Sequence, residues 1–446
     1  ICGDSSYNVC LATNAIKALA SGTLCATCFV GCGAGLTGID AGFSPDAQEN
    51  LIAGTNAGKC VSSNDTCNIF LGYDAGCLVG NSTDDTQNVY IGKGAGQSAR
   101  GSHNNVYIGP HAGCGGDGTA HEENIAIGHY AGAQNCSGCS NVFLGRGAGQ
   151  NRSCGNYNIA FGKCAGQCGR GSQNIMFGLQ AGRGACETCI QYGNFYVGES
   201  AGKCNRTGNY NAFIGHGSGH NSCTGSENIG LGACTLGKCP LTGSNNIAFG
   251  SCAGTKVSSG GCNIFLGRYA AGDSCVTGSH NVVMGTNAGL KLCSGCCNVM
   301  IGYKSGQGSC SGSHNVFLGF CNAVNGSANG TGNVIIGCKA GLQIGGASNN
   351  VIIGEAAACL GSMSGGGNIF MGYQTAKCIT SGGVNVILGY NAGQCVTTGC
   401  YNVYLGMNAG EVANGQDNIA IGCFAGCLIT GCSNIVIGRD SGKSIT

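Results

Sequence analysis

Cysteine is the residue type in this chain with the most chemistry to offer: 36 of the 446 residues are cysteine. Thiols at this density are typical of disulfide-bonded proteins outside the cell, and they are rare in the reducing cytosol. We therefore expect an exported protein, either extracellular or on a cell or virion surface, whose cysteines mostly form structural disulfides.

Metal binding and catalysis are the alternative uses of such residues. Four cysteine pairs have the C-x-x-C spacing of half a zinc site, namely Cys25/Cys28, Cys136/Cys139, Cys186/Cys189 and Cys293/Cys296. No histidine completes them at the usual spacing, so we expect no metal and no cofactor. There is no nucleophile elbow with its partners, and acidic residues are too sparse to line a catalytic groove. The sequence therefore predicts that the protein is not an enzyme.

One repeat organises the chain from end to end. It begins with Asn, aliphatic, apolar, aliphatic, Gly and continues into a variable, turn-rich stretch. Twenty-five copies start near residues 8, 27 and 50 and then every 16–20 residues up to residue 434. Because no linker interrupts them, we predict one continuous domain over residues 1–446.

A unit of this length has room for only one short strand and cannot bury a face alone. Stacked copies solve the problem, because each strand pairs in parallel with its equivalent one rung away and the core becomes a continuous column. The sequence therefore predicts an all-β fold, a parallel β-solenoid of about 25 rungs, stapled by disulfides.

Many cysteines recur 17 or 18 residues apart, which is one rung. Equivalent Cα atoms in adjacent rungs lie about 4.8 Å apart, inside the range of about 4.4–6.8 Å that a disulfide needs. Bonds between neighbouring chains are equally compatible, and the spacing does not fix the connectivity. The candidates for structural disulfides are Cys60, Cys77, Cys186, Cys204, Cys234, Cys252, Cys275, Cys293, Cys310, Cys321, Cys338, Cys378 and Cys395.

The strand motif contains two positions with a physical explanation. The glycine after the strand indicates a corner with positive φ or a close approach of backbones. The asparagine that opens the unit has two interpretations, which the sequence leaves open: a ladder of stacked amides along the rod, or a residue in a left-handed turn.

The middle strand position is apolar in almost every copy, so both faces of the strand are apolar. A thin solenoid has one interior, and a strand covered on both faces needs a partner on the second one. We predict that Ile264 and Leu266 point inward and that the middle residues Phe143, Phe265 and Phe317 form a lateral interface between solenoids.

Charge and hydropathy limit the partners. The chain has 39 fully charged residues and a net charge of +1, so nucleic acid is not an expected partner. No run of 18 apolar residues occurs, so we expect no membrane-spanning segment. Low charge leaves association with further copies of the chain unopposed.

The motif resembles that of known fibrous proteins. Units such as NIFLGYDAG from Asn68 and NVILGYNAG from Asn385 are similar to the repeats of tail-fibre-like proteins and of the β-roll heads of trimeric autotransporter adhesins. This resemblance implies a trimeric rod exposed on a surface.

Two functions are therefore expected from the sequence. The first is a structural protein of an extracellular, self-assembling fibre, sheath or coat that disulfides harden. The alternative is an adhesive or receptor-binding trimeric fibre of a virion or cell surface. Because the repeat runs close to both ends, we also expect end-to-end stacking, with Cys2, Cys10, Cys427 and Cys432 available to seal the junction.

Overall fold

The fold is known from a computed structural model that describes residues 45–79, 84–115, 121–134, 138–151, 155–184, 190–325 and 329–445, and the backbone of Cys2–Gly3 and Val9–Cys10. Residues 1–44 and 45–446 form two compact units. In the first unit, strands β1 (Cys2–Gly3) and β2 (Val9–Cys10) pair in the antiparallel sense. The copy predicted at Asn8 thus pairs differently from the parallel rungs expected there, and the copy at Thr27 lies outside the described residues.

The second unit is a parallel β-solenoid, as predicted. In its described residues, twenty-three three-residue strands follow one another in a single in-register parallel ladder, which makes about 22 turns. No helix occurs among the described residues. The strands of the ladder are β3 Leu51–Ala53, β4 Ile69–Leu71, β5 Val89–Ile91, β6 Val106–Ile108, β7 Ile125–Ile127, β8 Val142–Leu144, β9 Ile159–Phe161, β10 Ile175–Phe177, β11 Phe195–Val197, β12 Ala212–Ile214, β13 Ile229–Leu231, β14 Ile247–Phe249, β15 Ile264–Leu266, β16 Val282–Met284, β17 Val299–Ile301, β18 Val316–Leu318, β19 Val334–Ile336, β20 Val351–Ile353, β21 Ile369–Met371, β22 Val386–Leu388, β23 Val403–Leu405, β25 Ile419–Ile421 and β27 Ile435–Ile437.

The opposite wall of each rung is built mainly from turns. Among the described residues it forms a short parallel ladder only in the last rungs, with β24 (Val412–Ala413), β26 (Leu428–Ile429) and β28 (Ser444–Ile445). Elsewhere isolated bridges, such as Val257 to Val276, join the turns of adjacent rungs. The strand wall therefore sets the register, and the turn wall accommodates the differences in repeat length.

The opening asparagines form a buried ladder, which decides between the two interpretations. Asn68 donates from its backbone N (2.9 Å) and from Nδ2 (3.0 Å) to Oδ1 of Asn50. Its Nδ2 also donates to Asp85 O in the following rung, at 2.7 Å. Asn263, Asn281 and their equivalents repeat the arrangement along the rod. The left-handed residue is instead the one just before the asparagine, for example Cys67 with φ 58°.

Both predicted reasons for the glycine after the strand, positive φ and a close approach of backbones, apply in the structure. Gly72 has φ 133°, and a Cβ there would lie 2.9 Å from the backbone carbonyl carbon of Gly92 in the next rung. Side chains rarely adopt this φ, and the space is filled by backbone. The corner therefore keeps the rungs in close contact.

Candidate functional surfaces

The middle strand residues lie in the core, so the predicted lateral interface at Phe143, Phe265 and Phe317 is wrong. Their exposed fractions are 1%, 0% and 1%. Side chains alternate along a strand, so the residue two after an inward asparagine also points inward. The inner column includes stacked rings, such as Tyr196 on Phe213 with centroids 5.7 Å apart.

The flanking strand residues point outward, which also corrects the prediction for Ile264 and Leu266. Both are only half-buried. The same pattern, a buried middle residue between two partly or fully exposed ones, holds in nearly every strand of the ladder. The outer face of the strand wall, formed by the first and third residues of the ladder strands, is named the apolar stripe.

The apolar stripe runs the length of the ladder. Every residue in it is aliphatic, aromatic or methionine, and none of those described carries a charge. Phe249 is 50% exposed and Phe161 is 52% exposed. With about 4.8 Å per rung, 22 turns make the stripe roughly 105 Å long. The ladder therefore presents a long hydrophobic surface that the described residues leave partly exposed.

The turn that follows each strand carries a second, mixed surface. Aromatic rings from adjacent rungs stack there, including Tyr303 on Phe320 and Tyr373 on Tyr390, with centroids 5.2 and 5.1 Å apart. Lys93 lies over the ring of Tyr73, with Nζ 5.8 Å from its centroid. Equivalent residues of neighbouring rungs thus contact one another on this face, as the repeat requires.

A cavity of about 250 Å³ opens on this face across three rungs. His129, Arg146 and Lys163 occupy the same turn position in consecutive rungs and line it. Backbone hydrogen bonds fix the register, because Gly147 N donates to His129 O and Cys164 N donates to Arg146 O, both at 2.9 Å. The sequence predictions did not include this site. Its signal is the basic residues Arg146 and Lys163 and the histidine His129 at the repeat spacing, beside a glycine whose equivalents in the two adjacent rungs are Tyr130 and Cys164.

The cysteine candidates lie where the repeat predicted, but disulfide bonds do not join them. Each cysteine described from residue 45 onward is a free thiol. The thiols of Cys239 and Cys275 have Sγ atoms 3.2 Å apart, whereas a disulfide requires about 2.05 Å. Cys186 lies outside the described residues. The structure therefore supports the placement of the thiols on the turns and gives no support to disulfide stapling.

Three of the predicted pairs do bring thiols together in adjacent rungs. The thiols of Cys60 and Cys77, of Cys293 and Cys310, and of Cys378 and Cys395 lie close enough to interact with each other. In each case burial is the main cause that raises the pKa of the second thiol, and the neighbouring thiol adds to it. Burial, followed by the contact with Cys275, raises the pKa of Cys239 to about 11. Thiolate, the reactive form, is therefore scarce at neutral pH.

Among the described residues, no group of three or more His, Cys, Asp or Glu side chains is arranged to hold a metal ion. The same part of the chain contains no helix of the length and hydropathy that a membrane span requires. No protein-family profile matches the chain, and no curated protein matches its sequence.

Proposed function

We propose that this protein is a structural component of an extracellular, self-assembling fibre, sheath or coat, and that solenoids associate side by side through the apolar stripe. The observation that carries this proposal is the stripe itself, because it is continuous over the ladder and free of charge. A catalytic or transport role gives no reason for such a surface.

The size of the stripe supports a second copy of the chain as its occupant. A three-residue strand is about 10 Å long, so a stripe of roughly 105 Å offers about 1,000 Å². Monomeric proteins rarely expose apolar patches above a few hundred Å². Two stripes packed face to face would bury about 2,000 Å² in total, which is the area of a stable protein interface.

The spacing of the stripe supports the same occupant. Its side chains repeat at the inter-strand distance, so a second stripe presents ridges at the matching interval, and two β faces pack about 10 Å apart by interdigitation. A polar or charged partner would find no complementary group there. Identical solenoids are therefore the best chemical match.

Site-directed charge tests the proposal. Phe161→Lys, Phe249→Lys and Met371→Lys together place three cations on the stripe, and we expect the assembled protein to become single solenoids with an unchanged far-ultraviolet circular dichroism spectrum. Light scattering coupled to size exclusion and electron microscopy provide the measurement. The matched control is Tyr157→Lys, Ser251→Lys and Tyr373→Lys, which adds the same charge at exposed positions outside the stripe.

Two outcomes would contradict the proposal: a wild-type protein that stays monomeric at high concentration, and a stripe variant that assembles as well as the control. Lysines at Phe143, Phe265 and Phe317 would not test assembly, because these positions are in the core and the charges would unfold the rod.

We further propose that disulfides harden the assembled material. Each of the two neighbouring thiol pairs, Cys293 with Cys310 and Cys378 with Cys395, would lose two protons and two electrons in all and form one S–S bond. The oxidant, such as oxidised glutathione, takes them up and is reduced to two thiols. Because burial raises the pKa of Cys310 and Cys395, the rate of oxidation should increase with pH above neutrality. Peptide mapping without reductant should find these two pairs. Recovery of free thiols only, after oxidation at alkaline pH, would refute the hardening step.

A further inference from the structure

The cavity beside His129 exists because one side chain is missing from a column. The left-handed turn residues of the three rungs are Tyr130, Gly147 and Cys164. Gly147 is buried and has φ 65°. A Cβ at this position would lie 3.2 Å from Gln150 Oε1 and 3.7 Å from Cys164 Sγ. The glycine therefore leaves the floor of the cavity open between two larger neighbours.

The walls of the cavity have the electrostatics of an anion site. His129, Arg146 and Lys163 approach it from three consecutive rungs, and none of the described lining residues is acidic. Neither Arg146 nor Lys163 forms an ion pair with a described carboxylate. Rungs lie about 4.8 Å apart, so the guanidinium, ammonium and imidazole groups of these three residues reach the same small cavity. Guanidinium and ammonium groups bind oxyanions through charge-assisted hydrogen bonds.

The side-chain amides of Gln150 and Gln167 also line the cavity, and one of their oxygens lacks a hydrogen-bond donor. Gln167 Nε2 donates to Gln150 Oε1 at 3.1 Å. Gln167 Oε1 is buried and has no hydrogen-bond partner in the described part of the chain. A buried acceptor without a donor costs free energy unless a ligand or solvent supplies one. A ligand that carries a hydroxyl next to its charge would satisfy this atom.

We propose that this cavity binds a compact oxyanion that also carries a hydroxyl donor, namely hydrogen phosphate or the phosphate, sulfate or carboxylate group of a sugar. Arg146, Lys163 and His129 contact the oxyanion, and Gln167 accepts from the hydroxyl. The binding site is on the turn face, away from the apolar stripe, so it does not depend on side-by-side association.

A second cavity on the same face is a weaker candidate. It is lined by Lys238 and Lys256, but Lys256 Nζ lies 3.3 Å from Asp273 Oδ1 and donates to Asp273 O at 2.6 Å. Lys256 is therefore already paired with an acidic residue that also lines the cavity, which leaves Lys238 as its one lysine without an ion pair to any residue that the structure describes. The comparison favours the cavity at Gly147, where the charges have no carboxylate partner among the described residues.

Filling the cavity without changing its charge gives a sharp test. Asparagine already occupies the equivalent left-handed position as Asn287 (φ 57°) and Asn408 (φ 54°), so Gly147→Asn should preserve the fold. We expect isothermal titration of the full chain with inorganic phosphate to show binding that Gly147→Asn weakens about tenfold or more, as the loss of charged hydrogen bonds predicts. Gly217→Asn is the matched control, because Gly217 has φ 62° in the same column. It follows His216, whose equivalents in the two adjacent rungs are Glu199 and Ala233 rather than arginine or lysine.

Titrations with three further compounds identify the class of ligand. Titration with glucose 6-phosphate, inorganic sulfate and glucose separates the contribution of the oxyanion from that of the sugar hydroxyls. Tighter binding of glucose 6-phosphate than of phosphate would support a sugar ester, and equal binding would support the bare oxyanion. Glucose binding as tightly as glucose 6-phosphate would overturn the proposal.

The proposal would also be overturned if Gly147→Asn bound phosphate like the wild type, or if Gly217→Asn weakened binding equally. Should Gly147→Asn fail to fold, Arg146→Gln with Lys163→Gln replaces it, since both side chains are exposed. Unchanged phosphate binding by that double variant would then refute the site.

Discussion

The two faces of the strand wall carry the same kinds of side chain in opposite surroundings. Phe265 on the inner face is 0% exposed, whereas Phe249 on the outer face, one rung away, is 50% exposed. The inner face also holds the asparagine ladder, and the outer face holds no described polar strand residue. Apolar character alone therefore does not tell the inside of a solenoid rung from its outside. The amide ladder does, because its hydrogen bonds must be shielded from water.

The matched phenylalanines give the largest expected difference between the faces. Phe265→Ala should lower the free energy of unfolding by about 3–5 kcal/mol, because it leaves a cavity in a fully packed column. Phe249→Ala should change it by less than about 1 kcal/mol in the unassembled protein, because half of that ring is already in water. Urea titration followed by circular dichroism measures both. Equal losses of stability in the two variants would contradict the assignment of Phe265 to the inner face and Phe249 to the outer face.

Loss of one asparagine from the buried ladder should have the next largest effect on the free energy of unfolding. Asn281→Ala removes Oδ1, which accepts from the backbone N and from Nδ2 of Asn298, both at 3.0 Å. Two buried donors would lose their acceptor, and we expect a loss of about 3 kcal/mol. The control is the exposed neighbour His280, which has φ 61°. His280→Asn should change stability by less than about 0.5 kcal/mol, and a similar loss in both variants would contradict a structural role for the ladder.

The buried side chain of His121 should make a smaller contribution to stability, and this contribution should depend on pH. His121 is 4% exposed, and burial lowers its pKa. An unfolded histidine has a pKa of about 6.5, so below that pH the unfolded chain binds a proton that the folded chain does not. Stability contributed by the neutral ring is therefore complete above about pH 6.5 and is lost as the pH falls towards the lowered value.

Gln191 occupies the position of His121 in another rung and is equally buried. His121→Gln should thus fold normally and lose part of the acid sensitivity, as thermal unfolding between pH 4 and pH 8 would show. An unchanged pH profile in the variant would assign the acid response to other groups.

The repeat made the ladder, its register and the positions of its strands predictable. Identical units at a fixed interval can satisfy their backbone groups in few ways, and a parallel stack is one that also joins their cores. The direction of the side chains was not predictable in the same way, because a strand with apolar residues on both faces has no hydrophobic alternation to read.

One pair of residues does indicate in the sequence which way the strand side chains point. Gly230 takes the middle strand position of its rung, and Leu236, which is fully buried, stands where the neighbouring rungs have Gly219 and Gly254. A large residue there replaces the volume that Gly230 lacks, so both positions face the same core. For the thiols, spacing predicted which rungs bring them together but could not predict oxidation, which depends on an oxidant and on thiolate supply.

The in-register ladder has a mechanical consequence. Its hydrogen bonds between rungs run along the rod, so a pulling force at the two ends would open them one rung at a time rather than all together. A rung of 17 residues that unravels would release roughly 60 Å of extended chain in exchange for about 4.8 Å of rod. A fibre built from this protein would therefore yield gradually and absorb work, and each thiol pair that became oxidised would shorten that extension.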